Sequence, residues 1–141
     1  MALRLAIDCL CGAVAQNVTT SSTSDSSVVP LALCHCTACR HSSGLLCTSY
    51  CPIEPPAAAD HILASLSAYA SSAAVTRYFC RTCGCHVFRR DRGADEIVQW
   101  QVATGVIVEE IGDAASSDRP ATLAFVRHDH VTDTQDGGLA V

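Results

Sequence analysis

The stretch CRTCGC at residues 80–85 places two cysteines three positions apart and follows them with a glycine. A tight turn of this kind can direct both sulfurs at one point, as a tetrahedral zinc ion requires. The earlier stretch CLCG, residues 9–12, offers a second pair of sulfurs. The glycine after each second cysteine permits a backbone twist that turns N–H groups toward the sulfurs. We therefore expect the two turns to close one structural zinc site; the alternative is a set of reduced thiols without a metal.

A third cysteine group lies in LCHCTACRHSSG, residues 33–44. Cys34, Cys36 and Cys39 offer three thiolates from one loop. Three protein ligands with one open position form the usual catalytic zinc site, in which water or substrate takes the fourth place. The alternative is a second structural site completed by another side chain, and the spacing does not choose between the two. Five residues could supply that fourth ligand: Cys47, Cys51, Cys85, His35 and His41.

The size and charge of the chain limit its class. Its 141 residues suit one domain, which at this length buries about two thirds of the surface of the unfolded chain. The formal net charge is −5, with only nine Lys and Arg residues, whereas phosphate binding needs clustered cations. No apolar run reaches membrane-spanning length. We therefore expect neither a nucleic acid nor a membrane as a partner.

The expected location follows from the N-terminus and the thiols. Between Arg4 and Asp8 the only uninterrupted apolar run is Leu5, Ala6 and Ile7, which is too short for the core of a signal peptide. A chain that is not exported keeps its thiols reduced. Its ten cysteines then indicate metal binding or catalysis instead of disulfides. We expect a cytoplasmic protein.

The hydrophobic pattern predicts a mainly β chain. In the first strand, Leu3, Leu5 and Ile7 would share one face. Residues 96–108 are predicted to form a pair of strands, with Trp100 inside the fold. Further strands are predicted at 28–33, 44–50, 75–79, 86–89 and 121–127.

The other segments are predicted to be loops, turns or a tail. The polar run 19–27 is typical of a hairpin loop. Residues 57–74 favour a short helical turn followed by a strand, because their serines weaken a longer helix. The segment 131–141 lacks a core-forming pattern and is predicted to be a flexible tail, so that residues 1–130 form the domain. Three prolines disfavour regular structure after the strand at 44–50: Pro52, Pro55 and Pro56.

In their order along the chain, the motifs CLCG, CHCTACRHSSG and RYFCRTCGCHVF resemble those of the glutathione-dependent formaldehyde-activating enzymes. That family also includes centromere protein V. The resemblance, from Leu5 to Val126, implies a single domain with a zinc-stapled, mainly β fold of the β-tent type. It also implies two zinc ions per chain, one structural and one labile. The structural ligands would be Cys9, Cys11, Cys80 and Cys83, and the labile ion would lie at Cys34, Cys36 and Cys39.

The resemblance further implies that the pocket beside the labile zinc receives glutathione or another thiol adduct of a small molecule. Zinc could hold the leaving thiolate while a base takes a proton from the adjacent carbon, so we predict a zinc-dependent carbon–sulfur lyase. The alternative is a non-catalytic zinc module that binds a protein. The acidic charge disfavours a chromatin protein like centromere protein V. A homo-oligomer is left open.

The predicted catalytic residues are the three thiolates and one neighbour: Cys34, Cys36, Cys39 and His35. His35 lies between two ligands in a turn, where successive side chains diverge. It could act as a base, but a hydrogen-bond partner behind the metal ligands is the better interpretation. The tripeptide His128-Asp129-His130 could also attract a metal, but we interpret it as a solvated turn after the last strand.

Three residues are predicted to bind substrate: Arg40, Arg77 and Cys47. Each arginine could pair with a substrate carboxylate, and a surface ion pair is the equal alternative. Cys47 and Cys85 depart from the family pattern, since relatives usually carry a bulky apolar and a small polar residue there. Either cysteine could line the pocket or simply be a small buried side chain, and the second interpretation is preferred for Cys51.

Overall fold

Ten strands and a short helix position the cysteine turns in the part of the chain that the computed structural model describes, residues 2–21, 28–56, 63–111 and 122–134. Two 3-10 turns, Thr104–Val106 and Val131–Asp133, accompany them. In chain order the elements are β1 Arg4–Asp8, β2 Ala15–Thr19, β3 Val28–Cys34, α1 Thr37–Ser43, β4 Thr48–Ile53, β5 Leu66–Ala70, β6 Val75–Cys80, β7 His86–Arg92, β8 Val98–Ala103, β9 Ile107–Ile111 and β10 Thr122–Asp129.

The strands form two sheets. A three-stranded sheet has the order β2-β1-β9, and a seven-stranded sheet has the order β10-β3-β4-β8-β7-β6-β5. All neighbours are antiparallel except β10 and β3, which run parallel. The predicted mainly β fold in a single domain is confirmed. Within the described ranges, no helix has the length and apolar character needed to cross a bilayer.

The main core contains side chains from both sheets. Leu3, Leu5 and Ile7 are buried on one face of the first strand, as their alternation predicted. They belong to the same cluster as Val87 and Phe88 of β7. Trp100 packs against this cluster, with its ring centroid 5.2 Å from that of Tyr78 and 6.3 Å from that of Phe88. The apolar face of β1 therefore packs the small sheet against the large one.

The hairpin of β6 and β7 carries the CRTCGC turn, as the sequence predicted. Its two strands pair from Val75 with Asp91 to Phe79 with His86, with a bulge after Tyr78. The strand predicted within 57–74 is β5, which pairs with the other side of β6. Part of that segment, residues 57–62, lies outside the described residues. The cysteine turn thus sits at one end of a continuous three-strand meander.

The hairpin predicted at 19–27 is wrong. β2 belongs to the small sheet and β3 to the large one, so the chain crosses between sheets here. Residues 22–27 themselves lie outside the described residues. Of the two strands predicted within 96–108, the first exists as β8, but the second, β9, starts only at Ile107 and continues to Ile111. These two strands also belong to different sheets. Neighbouring strands in this sequence are therefore not always partners in space.

The strand predicted at 44–50 is also misplaced. A helix, α1, comes first, and β4 starts at Thr48 and continues through Pro52 to Ile53. The Pro52 carbonyl accepts a hydrogen bond from Ser21 N–H at 3.2 Å. The nitrogen of Pro52 faces the same edge of β4 as its carbonyl. The pairing of β4 with β3 has already ended at Tyr50, before the chain reaches Pro52. The missing donor therefore costs no ladder hydrogen bond, and the proline is tolerated inside the strand.

Two leucines five positions apart test the core assignment. Leu5 is 0% exposed and Leu10 is 88% exposed. Leu5→Ala should lower the free energy of unfolding by about 2–5 kcal/mol, because it leaves a cavity in the main core. The matched change Leu10→Ala should alter it by less than about 0.5 kcal/mol. Urea denaturation of both metal-loaded variants measures the difference, and equal effects would contradict a core between the sheets.

Candidate functional site

Cys9, Cys11, Cys80 and Cys83 form one cluster, hereafter the four-cysteine site. Their sulfurs all lie within 4.8 Å of one another. The Cys9 and Cys11 sulfurs are 3.6 Å apart, and those of Cys11 and Cys80 are 3.7 Å apart. Thiolates bonded at about 2.3 Å to a tetrahedral metal stand about 3.8 Å from each other. The two turns that the sequence paired therefore meet in space, and their spacing fits a metal ion.

The backbone of both turns depends on glycine. Gly12 and Gly84 have φ angles of 75° and 74°, in the left-handed region that side chains with a Cβ rarely adopt. In the first turn the Val14 N–H donates to the Cys9 sulfur at 3.3 Å. Burial opposes ionisation of that thiol, but this hydrogen bond and the neighbouring thiols outweigh it and lower the pKa of Cys9 to about 6. The turn is thus suited to hold a thiolate.

Cys34, Cys36 and Cys39 form the second cluster, hereafter the three-cysteine site, with their sulfurs within 4.8 Å of one another. Cys34 is the last residue of β3 and is buried, as is Cys39 in α1. Cys36 caps the helix, since its sulfur accepts the Cys39 N–H at 3.3 Å, and it is the one of these three cysteines that is partly exposed. One short helix and one strand end therefore bring the three sulfurs together.

A fourth side-chain ligand does not join the three-cysteine site among the described residues. The five candidates from the sequence, Cys47, Cys51, Cys85, His35 and His41, all lie outside the cluster. A metal bound by these three sulfurs would therefore keep one position for a ligand from outside the described chain. This is the arrangement that distinguishes catalytic from structural zinc sites.

Hydroxyl groups fix the backbone of Cys39. The hydroxyls of Ser42, Ser43 and Thr48 all donate to its carbonyl, at 3.0, 2.9 and 3.1 Å. The two serines bond within α1, whereas Thr48 joins β4 to α1 through the Cys39 carbonyl and the Ser43 hydroxyl. This contact from Thr48 holds the third sulfur against the large sheet.

Arg77 contacts the three-cysteine site directly. Its Nη1 and Nη2 lie 3.6 and 3.5 Å from the Cys39 sulfur, and Nη1 donates to the Tyr50 hydroxyl at 3.2 Å. The arginine is only 6% exposed. The alternative prediction for Arg77, a surface ion pair, is therefore wrong. Among the described residues, Arg77 forms no salt bridge. The guanidinium instead balances the negative charge of the sulfurs.

The electrostatics of the three-cysteine site favour a thiolate at Cys39. The hydrogen bond from the Cys34 thiol is the largest cause; burial opposes it, and Arg77 and Tyr50 add to it. Together they lower the pKa of Cys39 to about 4. Hydrogen bonding to Cys39 and burial raise the pKa of the Cys34 thiol, because the two sulfurs share one proton. A metal ion takes the place of such a proton when it binds.

His35 and Arg40 support the loop. The buried His35 ring stacks on His128, with Nε2 3.0 Å from Nδ1 of the other ring. Arg40 donates to the His35 carbonyl at 3.3 Å and to Thr37 Oγ1 at 3.3 Å. These contacts fit His35 as a hydrogen-bond partner behind the ligands, and its role as a base stays a prediction. Substrate binding by Arg40 likewise stays a prediction.

The turn predicted at His128-Asp129-His130 is wrong for its first two residues, whereas His130 follows the last strand and is exposed as expected. His128 and Asp129 belong to β10, which runs parallel to β3 and pairs Asp129 with Cys34. The Asp129 carbonyl accepts the His35 N–H at 3.0 Å. The last strand therefore ends beside the first ligand of the three-cysteine site.

Two cavities lie beside α1 and the CRTCGC turn, and they share Ser42, Gly84 and His86 in their walls. The first, hereafter the Arg77 cavity, has a volume of about 380 Å³. The second, hereafter the Cys47 cavity, has about 460 Å³ and includes Cys85 in its wall. Cys47 thus lines a cavity, as the prediction of a pocket residue requires, although contact with substrate is untested. Arg77 lines the first cavity and also contacts the Cys39 sulfur, so it links that cavity to the ligands.

Sequence reasoning missed Tyr50 and His86. Tyr50 is buried in β4 with its hydroxyl 3.7 Å from the Cys39 sulfur. The His86 ring packs edge-on against Tyr50, with centroids 5.9 Å apart. Tyr50 lies outside the cysteine motifs and His86 follows the last cysteine of one, so only the pairing of β4, β8 and β7 brings both near α1. The CHVF stretch showed a histidine after the turn, but not the cavities that it borders.

Removing the Arg77 guanidinium should weaken metal binding at the three-cysteine site. Arg77→Met keeps an unbranched side chain but loses both N–H contacts to Cys39. Loss of such a supporting contact typically lowers metal affinity by about 10- to 100-fold. Competition with a chromophoric chelator measures this loss, and the four-cysteine site should keep its affinity. Arg92→Met is the control, because Arg92 is half exposed and forms its salt bridge with Glu96. Equal affinities in both variants would contradict the assignment.

Comparison with known proteins agrees with this geometry. The family model described as Glutathione-dependent formaldehyde-activating enzyme matches residues 4–127, which include all ten cysteines. A search of curated proteins found no match. The matched range includes both cysteine sites and the cavity walls, and it covers far more than half of the chain. The chain therefore belongs to the family of glutathione-dependent formaldehyde-activating enzymes.

Proposed function

We propose that the protein is a zinc-dependent carbon–sulfur lyase that acts on glutathione adducts, or other thiol adducts, of a small molecule. The observation that carries this proposal is the three-cysteine site, which among the described residues has no fourth side-chain ligand. The family description supplies the link to glutathione. We further propose that the enzyme works in the cytoplasm, where glutathione is abundant and thiols stay reduced.

The donor set of each site fits zinc. Four thiolates from two turns match a closed, structural zinc site, whereas three thiolates with one open place match a catalytic one. We therefore propose two zinc ions per chain with different roles. The four-cysteine site joins the end of β1 to the β6–β7 hairpin, where a bound ion would stabilise the fold. Arg77 connects the three-cysteine site to the first cavity, and an ion bound there would serve the reaction.

Zinc at the three-cysteine site would supply a soft Lewis acid that stabilises a sulfur leaving group. Three thiolates already give such a centre negative charge, which weakens its acidity toward water. A soft sulfur ligand suits it better than a hard oxygen ligand. The donor set therefore favours cleavage of a thiol adduct over hydrolysis.

The residues around the site fit this chemistry. Arg77 places a positive charge against Cys39 and extends into the first cavity. An anionic sulfur that leaves the substrate there would meet a cation held in place by Tyr50, Ser42 and Ser71. Because these partners are ordered before the reaction, the site stabilises developing charge without rearranging. Pairing of Arg77 with a glutathione carboxylate stays part of the proposal.

Two cysteine variants test the proposed division of roles. Zinc-loaded wild-type protein should contain two zinc ions per chain by elemental analysis. Cys80→Ser should not fold, because a structural zinc contributes on the order of 10 kcal/mol in small zinc modules. Cys36→Ser should fold, retain one zinc and lose activity. Thermal melts followed by circular dichroism compare the two variants, and equal loss of fold would argue against separate roles.

Thiol release tests the reaction itself. The zinc-loaded protein should liberate glutathione from adducts that carry an acidic C–H next to the carbon bonded to sulfur, and a thiol reagent follows the product. Cys36→Ser serves as the inactive control. No thiol release from any such adduct, together with turnover of a sulfur-free substrate, would overturn the lyase assignment. A fully loaded protein without turnover of any substrate would favour the non-catalytic, protein-binding module.

A further inference from the structure

His86 borders both cavities next to the three-cysteine site. It is the first residue of β7, directly after the CRTCGC turn. Its Nε2 lies 3.2 Å from the Phe88 carbonyl oxygen, which can only accept a hydrogen bond. Nε2 therefore carries the hydrogen, and Nδ1 keeps its lone pair. Among the described residues, Nδ1 has no hydrogen-bond partner that would occupy this lone pair.

A short chain of contacts connects His86 to the metal ligands. Its ring packs edge-on against the Tyr50 ring, whose hydroxyl is 3.7 Å from the Cys39 sulfur. Arg77 lines the Arg77 cavity together with His86 and contacts the same sulfur. A substrate in the Arg77 cavity would therefore contact both His86 and Arg77, and Arg77 in turn contacts the Cys39 sulfur.

The lining of the Cys47 cavity indicates which kind of substrate group it would bind. Apolar side chains of Leu33, Leu45, Ala103 and Val106 line it, together with the thiol of Cys47. About 460 Å³ lies within the usual range for a small-molecule site. Because its wall is mainly apolar, it fits an apolar carbon group better than the charged glutathione portion.

We propose that His86 is the general base of this enzyme, and that its substrates are thiol adducts whose apolar carbon group occupies the Cys47 cavity. This inference rests on the proposed lyase function. His86 Nδ1 takes the proton from the carbon next to the carbon–sulfur bond. The C–H electron pair becomes a carbon–carbon double bond, and the carbon–sulfur pair leaves with the sulfur as a thiolate. The proton on Nδ1 then returns to water.

The surroundings favour the uncharged imidazole. Burial is the largest cause that lowers the pKa of His86, and the cations Arg77 on β6 and Arg89 on β7 lower it further. The Phe88 carbonyl and the Cys39 thiolate act in the opposite direction but do not outweigh them. The base form exists above this lowered pKa. Activity should therefore be flat around neutral pH and fall only as the pH drops through the lowered pKa.

His86→Gln tests the base, because glutamine can still donate to the Phe88 carbonyl but has no basic nitrogen. The probe substrates are glutathione adducts of α,β-unsaturated ketones. We expect kcat for thiol release to fall by about 10²- to 10⁴-fold, with KM and zinc content close to wild type. The acid limb of the pH profile should disappear. The matched control is His41→Gln, since His41 is exposed on α1 and should retain wild-type kinetics.

A second pair of measurements guards against a merely structural effect. Imidazole added to His86→Ala should restore part of the thiol release if the lost group is a base.

Gly105→Leu tests the cavity, because a Cβ at Gly105 meets no atom within 4 Å and this residue lines the Cys47 cavity. It should raise KM for adducts of bulky ketones and leave that of the smallest adduct unchanged.

The outcomes separate this inference from the lyase proposal. If wild type and His86→Gln release thiol at similar rates, His86 is not the base and the lyase function stands. If the glutamine variant is impaired but imidazole gives no rescue and the pH profile keeps its shape, the role is structural and the inference fails. If Gly105→Leu affects all adducts alike, the cavity assignment fails. If the wild type releases no thiol, the lyase proposal and this inference both fail.

Discussion

The meeting of four sulfurs from two distant turns is the constraint on which the rest of the structure depends. One turn ends β1 in the small sheet, and the other joins β6 to β7 in the large sheet. Neither sheet buries its apolar face alone, because the main core draws side chains from both. A metal at this point would therefore fix the relative position of the sheets. The cavities also depend on the four-cysteine site, because Gly84 of the CRTCGC turn lines both of them.

The three-cysteine site depends on a different set of contacts. Its three cysteines come from the end of β3 and the start of α1, so they are close in the sequence. What the fold adds is the environment: Tyr50 from β4 and Arg77 from β6 place a hydroxyl and a cation against the Cys39 sulfur. These two side chains give the three cysteines a defined electrostatic environment. They also connect it to a space large enough for a substrate.

The sequence predicted those features that depend on local spacing. Cysteine spacing identified both clusters, the two glycines supported the four-cysteine site, and period-two alternation identified β1. It did not predict which strands are partners, because β2 and β3 follow each other in the chain but join different sheets. The helix α1 was missed, since a cysteine takes the cap position that Ser, Thr, Asp or Asn usually takes. The burial of Arg77 could not be predicted either, because it follows from the pairing of β6 with both β5 and β7.

The parallel pairing of β10 with β3 has a consequence for synthesis of the chain. His35 and its partner His128 are 93 positions apart, and the same strand end pairs Asp129 with Cys34. During translation the ligand loop leaves the ribosome long before the strand that covers it. Both cysteine clusters are complete in the nascent chain while the edge of β3 is still uncovered, and such an open edge is prone to wrong pairing. A metal ion bound early would thus hold the two sheets together until β10 is synthesised and pairs with β3.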